Sequence, residues 1–180
     1  MNQPKIIPLL FLGLLSISAS PIVARSLASS ATVISFWRMF LASFFLWGYS
    51  LFYLKSLKSL SFSNKIRTSF AGILLGIHFI LFFEAVKITT IANATFLGTL
   101  APFFTLLVEL FILKRYYHKK VLFGIFCTLL GSIIILGYQF DLESKYTIGN
   151  LYAILCSISI AIALMIGEKV RKNENTIVYT

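Results

Sequence analysis

The chain has 180 residues, 58% of them hydrophobic and only 12% charged. The apolar residues fall into runs of membrane-spanning length, so little chain is left for loops and none for a soluble domain. The net charge of +10 sits in short loops, where membrane topology and anionic lipid head groups account for it; no nucleic-acid motif accompanies it.

Crossing a hydrocarbon core takes about 20 apolar helical residues. Six spans are predicted: Ile6–Ala24, Ala31–Leu54, Thr68–Val86, Thr90–Leu113, Val121–Gly137 and Ile148–Gly167. The expected fold class is an all-α polytopic membrane protein. The first run, with Lys5 before it and Ile22-Val23-Ala24 at its end, also has the look of a signal peptide, with Pro21 close to the cleavage site. The longest loops are Lys55–Arg67 and Tyr138–Thr147, the latter carrying Asp141 and Glu143.

Basic residues set the orientation. Lys5, Lys55, Lys58, Lys65, Arg67, Lys114, Arg115, Lys119, Lys120, Lys169, Arg171 and Lys172 fall on one side of the predicted spans. Arg25, Lys87 and Lys145 fall on the other, and Arg38 lies within a span. The positive-inside bias places the N-terminus and the end of the sixth span in the cytoplasm.

Ionisable groups within spans are costly, about 2.5–3.5 kcal/mol for a mid-helix Arg or Asp on insertion scales, and mark candidate sites. Arg38 lies about two turns into the second span. A guanidinium there suits a carboxylate ligand; pairing with Glu84, near the same surface, and snorkelling are the structural readings. His78, central in the third span, reads as a substrate contact or proton relay, or as a hydrogen-bonded packing residue. Trp37 is a cavity candidate or a belt anchor. Gly98, Pro102, Thr105 and Glu109 share one face of the fourth span. Pro102 is expected to kink that helix and free a carbonyl near Gly98, so the face is a candidate cavity lining. Asn93 is assigned to the same path. Glu109 is expected to snorkel or to pair with Lys114 or Arg115.

Gly72 and Gly76, and Gly124 with Thr128 and Gly131, read as close-packing stripes; Gly13, Ser16, Ser20 and Ala24 read as packing or cavity lining. Tyr49, Tyr53, Tyr116 and Tyr117 fall at expected interfaces. Cys127 and Cys156 read as small apolar fillers, with no CxxC and no Cys/His metal spacing. Nucleophile elbows, zinc-protease motifs and P-loops are absent from the sequence, so neither enzymatic chemistry nor ATP-driven transport is supported, and no cofactor is expected.

Leu14-Leu15-Ser16-Ile17-Ser18 recurs as Leu155-Cys156-Ser157-Ile158-Ser159, and Ala31-Thr32-Val33-Ile34 as Asn175-Thr176-Ile177-Val178. The sixth span thus reads as the restart of a five-helix repeat, inserted with inverted orientation.

The stretch Ala85–Ala94, the Leu100-Ala101-Pro102-Phe103-Phe104 segment, the Gly124/Gly131 spacing, Phe36-Trp37-Arg38 and His78-Phe79 together resemble the EamA-type branch of the drug/metabolite transporter superfamily. Members have ten helices in two repeats, with a substrate path between them, and many export amino acids, other metabolites or drugs. The resemblance implies a first repeat over 1–138, an extracytoplasmic linker at 139–147 and the start of a second repeat at 148–180, as a fragment of a longer chain. It also implies that the first helix is retained, and a bacterial inner-membrane location. One departure is that the family's Gly-Glu at the end of the fourth helix is replaced here by Lys114-Arg115.

The implied activity is secondary or facilitated export of a small polar metabolite, with proton coupling open. Substrate would enter a cavity lined by the first, second, third, fourth and sixth spans. The alternative is a truncated or non-transporting membrane protein acting as scaffold or partner subunit. A homodimer is a further option, although the inside bias disfavours the dual orientation it would need.

Overall fold

The computed structural model describes residues 3–50, 61–136 and 146–171. Every regular element among them is helical: α1 (Gln3–Ser26), α2 (Ala31–Ser50), α3 (Phe62–Ile88), α4 (Ile91–Gly98), α5 (Ala101–Phe111), α6 (Lys119–Leu136) and α7 (Thr147–Arg171). Tyr53, Lys55, Lys58, Asp141, Glu143, Lys145 and the Asn175–Val178 match lie outside the described residues.

Among the described residues, four stretches are long and apolar enough to cross a membrane: Ala31–Gly48, Phe62–Ile88, Ile91–Phe111 and Thr147–Arg171. The expectation of six spans is met only in part by that measure. In α1 the apolar segment is the shorter Leu10–Ser26. In α6 two lysines occupy the start of an 18-residue helix.

Local chemistry sets the helix ends. Ser61 Oγ accepts the Asn64 amide at 3.3 Å and caps α3, so the helix starts before the predicted Thr68 and carries Lys65 and Arg67 in its first turns. At the α3–α4 turn, Thr89 is extended and Thr90 Oγ1 accepts the Asn93 amide at 3.0 Å. Each cap satisfies an amide that no helical carbonyl reaches.

The fourth predicted span is not a kinked helix but two helices. α4 ends at Gly98 and α5 starts at Ala101, with Pro102 in its first turn. There the missing N–H of proline costs nothing, because first-turn amides have no intrahelical partner. Sequence spacing had placed the disruption inside a continuous helix; the chain instead breaks at Thr99-Leu100.

α7 is the central element. It packs chiefly along α3, then α4 and α5, while α2 and α1 lie against α3. Its buried face is built from Gly149, Ala153, Cys156, Ser157, Ala161, Ala163 and Gly167, with Asn150 and Val170. Alanines dominate the interior elsewhere too: Ala24, Ala31, Ala71, Ala85, Ala94 and Ala101. Large apolar side chains such as Phe44, Phe45 and Trp47 are exposed. This distribution suits a bundle in lipid, where acyl chains solvate large side chains and close backbone approach holds helices together.

Among the described residues, the predicted glycine stripes make no close helix contact. A Cβ at Gly13, Gly72, Gly76, Gly124 or Gly131 would meet nothing within 4 Å. The close approaches are instead at Gly98, against the Phe82 ring, and at Gly149, against Thr89.

Candidate functional site

A cavity of about 400 Å³ lies among α1, α2, α3 and α4, lined in part by Ser20, Arg38, His78, Phe79, Thr95 and Gly98. Its volume is in the range of small-molecule sites. The structure thus brings together Arg38, His78 and Gly98, which come from three predicted spans.

Arg38 Nη1 donates to Ser20 Oγ at 2.5 Å. The guanidinium carbon lies 4.6 Å from the Phe79 ring centroid and 5.7 Å from that of Phe83. Each cation–π contact contributes about 0.5–2 kcal/mol, depending on desolvation, which offsets part of the cost of a charge at this depth. The expected pairing with Glu84 is not made; Arg38 turns toward α1 and the α3 rings. One guanidinium N–H is used by Ser20, so donors remain for a ligand.

His78 lies between rings. Phe82 stacks on it at 6.3 Å and 14°, and Phe79 meets it edge-on at 5.0 Å and 63°. Its Nδ1 is 3.1 Å from the Cys156 carbonyl oxygen and 3.0 Å from Cys156 Sγ. The sixth span therefore reaches this site through Cys156, a residue that sequence reasoning treated as filler. Its position on the small-residue face shared by Gly149, Ala153 and Ser157 was the available signal.

Other predicted site residues lie elsewhere. Trp37 is 54% exposed and packs edge-on against Phe36 and Phe40, away from the cavity. Asn93 is fully buried in a polar cluster where α7 starts. There Asn150 Oδ1 accepts from Thr89 Oγ1 and from Asn93 Nδ2, both at 2.9 Å. At the same end Arg25 Nη1 donates to the Thr89 carbonyl at 2.8 Å, and Lys87 Nζ to the carbonyls of Leu27 and Ser29. Asn93 thus joins helices rather than lining the cavity.

The helix break divides the predicted fourth-span stripe. Gly98 faces the Arg38 cavity, while Pro102, Thr105 and Glu109 line a second one of about 340 Å³ between α5, α6 and α7. Thr105 Oγ1 donates to the Ala101 carbonyl at 2.9 Å.

Glu109 closes the Lys-rich end. It is 7% exposed and takes Arg115 Nη1 at 2.6 Å and the Tyr117 hydroxyl. Pairing with Arg115 matches the sequence expectation. The turn at Lys114, with φ at 50°, folds Arg115 back so that its amide also reaches the Glu109 carbonyl at 2.9 Å. Arg115 also bridges to Glu168 on α7 at 3.1 Å. Hydrogen bonding to Glu168, aided by its charge, raises the Arg115 guanidinium above its ordinary value. The hydrogen bond to Glu109 does the same to the Tyr117 phenol.

Apolar helices with lipid-facing aromatics around a charged, aromatic-lined cavity define an integral membrane protein of transporter-like build. The chain belongs to the EamA-like transporter family, whose model matches residues 4–137. No curated protein and no solved structure matches it.

Proposed function

We propose that this protein carries out secondary active or facilitated transport of a small polar metabolite, in the export direction. The observation that carries the reading is the meeting of Arg38 and His78 in one cavity formed by membrane-spanning helices. An intramembrane cation that pairs with no carboxylate among the described residues is a ready site for an anionic or zwitterionic solute. Family membership supports transport as the activity.

The proposed architecture is a first five-helix repeat over 1–138, a linker at 139–147 and the start of a second, inverted repeat at 148–180. Rocking of one repeat against the other would alternate access to the cavity. Lys65 and Arg67 start α3, Lys114, Arg115, Lys119 and Lys120 lie between α5 and α6 or start α6, and Lys169 and Arg171 end α7; with spans alternating in direction these fall on one side, which supports placing that side in the cytoplasm of a bacterial inner membrane. Protons remain a candidate coupling ion through His78.

The test is flux of candidate metabolites through proteoliposomes carrying wild-type protein, His78→Ala or Arg38→Ala. Losing a charge-assisted contact of about 1.5–3 kcal/mol lowers flux tenfold or more, with membrane insertion unchanged. Wild-type flux in both variants would remove the cavity from the mechanism. A wild-type protein that moves no solute would favour the non-transporting reading.

A further inference from the structure

α7 meets the cavity residue His78 through its backbone. The Cys156 carbonyl oxygen lies 3.1 Å from His78 Nδ1, within hydrogen-bond length, and Cys156 itself is fully buried. A neutral imidazole carries one N–H and one lone pair, and either nitrogen can hold the proton. A carbonyl oxygen can only accept. A lone pair on Nδ1 would therefore face the oxygen's electron pairs in a low-dielectric interior, whereas an N–H there makes a normal bond. Sγ, at 3.0 Å, does not decide the matter, because a thiol donates weakly and accepts weakly.

We infer that the Cys156 carbonyl on α7 holds His78 in the Nδ1–H form, so that Nε2 enters the cavity as a hydrogen-bond acceptor. Cys156 is then a positioning residue: it acts on the cavity only through the imidazole. The Phe82 and Phe79 rings hold the imidazole plane while the carbonyl selects its tautomer. Arg38, by contrast, is a donor only. The cavity therefore offers two opposite poles, a guanidinium for an anionic or acceptor group and an imidazole nitrogen for a ligand O–H or N–H. This ligand preference rests on the transport reading; the tautomer does not. Displacement of α7 along α3 breaks the bond to the carbonyl and frees the imidazole to exchange tautomers, which ties the polarity of the site to helix position.

The chain has two histidines, so His118→Gln leaves His78 as the sole imidazole. The full chain carrying that change, labelled with ¹⁵N-histidine and reconstituted in bilayers, is read by solid-state NMR at alkaline pH, where the ring is neutral. The expected spectrum has a protonated, pyrrole-type Nδ1 and a bare, pyridine-type Nε2, the reverse of the form that free histidine favours in water. Adding Cys156→Ala removes Sγ and keeps the carbonyl, and the same pattern is expected. The Nε2–H pattern in the first protein overturns the inference. Its appearance only with Cys156→Ala assigns the effect to the thiol and overturns the carbonyl's role. A protein that shows the Nδ1–H pattern but moves no solute sinks the transport reading alone.

Discussion

At Gly149 α7 approaches the end of α3 closely, and Gly149→Ala tests the packing directly. The added methyl would lie 2.7 Å from Thr89 Cβ, 3.0 Å from Ile88 Cγ1 and 3.0 Å from the Thr89 amide nitrogen. One of those atoms is backbone, so rotating a side chain cannot clear the clash. Carbon–carbon contacts settle near 3.5–4.0 Å, so α7 must withdraw by roughly 1 Å. That movement stretches the two 2.9 Å bonds to Asn150 Oδ1 past useful length. Overpacking costs about 1–3 kcal/mol, and each of the two weakened bonds adds about 1 kcal/mol, so a total of roughly 3–5 kcal/mol is expected. Equilibrium unfolding in mixed detergent–SDS micelles measures it. Gly76→Ala is the control, since a Cβ there meets nothing within 4 Å; it should stay within about 0.5 kcal/mol of wild type. Equal midpoints for Gly149→Ala and wild type, or equal shifts in both variants, would refute the assignment of the close approach to α7.

Asn150→Leu leaves Thr89 Oγ1 and Asn93 Nδ2 without their common acceptor and should cost about 1–3 kcal/mol in the same unfolding assay. Glu109→Leu removes the buried acceptor of the Arg115 and Tyr117 bonds, at about 1.5–3 kcal/mol. Glu168→Gln, whose side chain is 39% exposed, should cost less, and its effect should vanish at high salt. Pro102→Ala restores an N–H beneath Gly98 and should favour one continuous helix across Thr99-Leu100. Spin-label distances between α4 and α5 would lengthen as the break closes, and solute flux would fall.

The apolar spans were legible in part, four of them by length and hydropathy among the described residues, because apolar run length is a property of the chain read in one dimension. Arg38 and His78 stood out because a polar group within an apolar run is conspicuous by itself. What escaped notice depends on partners distant in sequence. Asn93 and Asn150 meet across the α4–α7 contact, so reading Asn93 alone left it on the transport path. Gly72 and Gly76 share with Gly149 the property of being small, but only the fold decides which small residue has a neighbour. Pro102 was read as an interior kink because helical spacing runs through it. In the folded chain the backbone at Thr99-Leu100 has already left the helix, which turns the same proline into a favourable first-turn residue. Cys156 looked apolar because it meets His78 through a main-chain oxygen, which side-chain identity does not report.

The interruption between α4 and α5 also bears on biogenesis. Ser157 of α7 donates its hydroxyl to the Leu97 carbonyl, beside the break. During synthesis α4 enters the bilayer long before α7 emerges, so that carbonyl waits without this donor, as do Thr89 and Asn93 for Asn150 and His78 for Cys156. An intermediate holding only the earlier helices therefore carries exposed polar groups inside lipid, and it becomes stable when the next helix arrives to cover them. Maturation of this protein should depend on how long the insertion machinery shelters those helices, and slowing translation just ahead of α7 should leave the nascent chain open to membrane proteases.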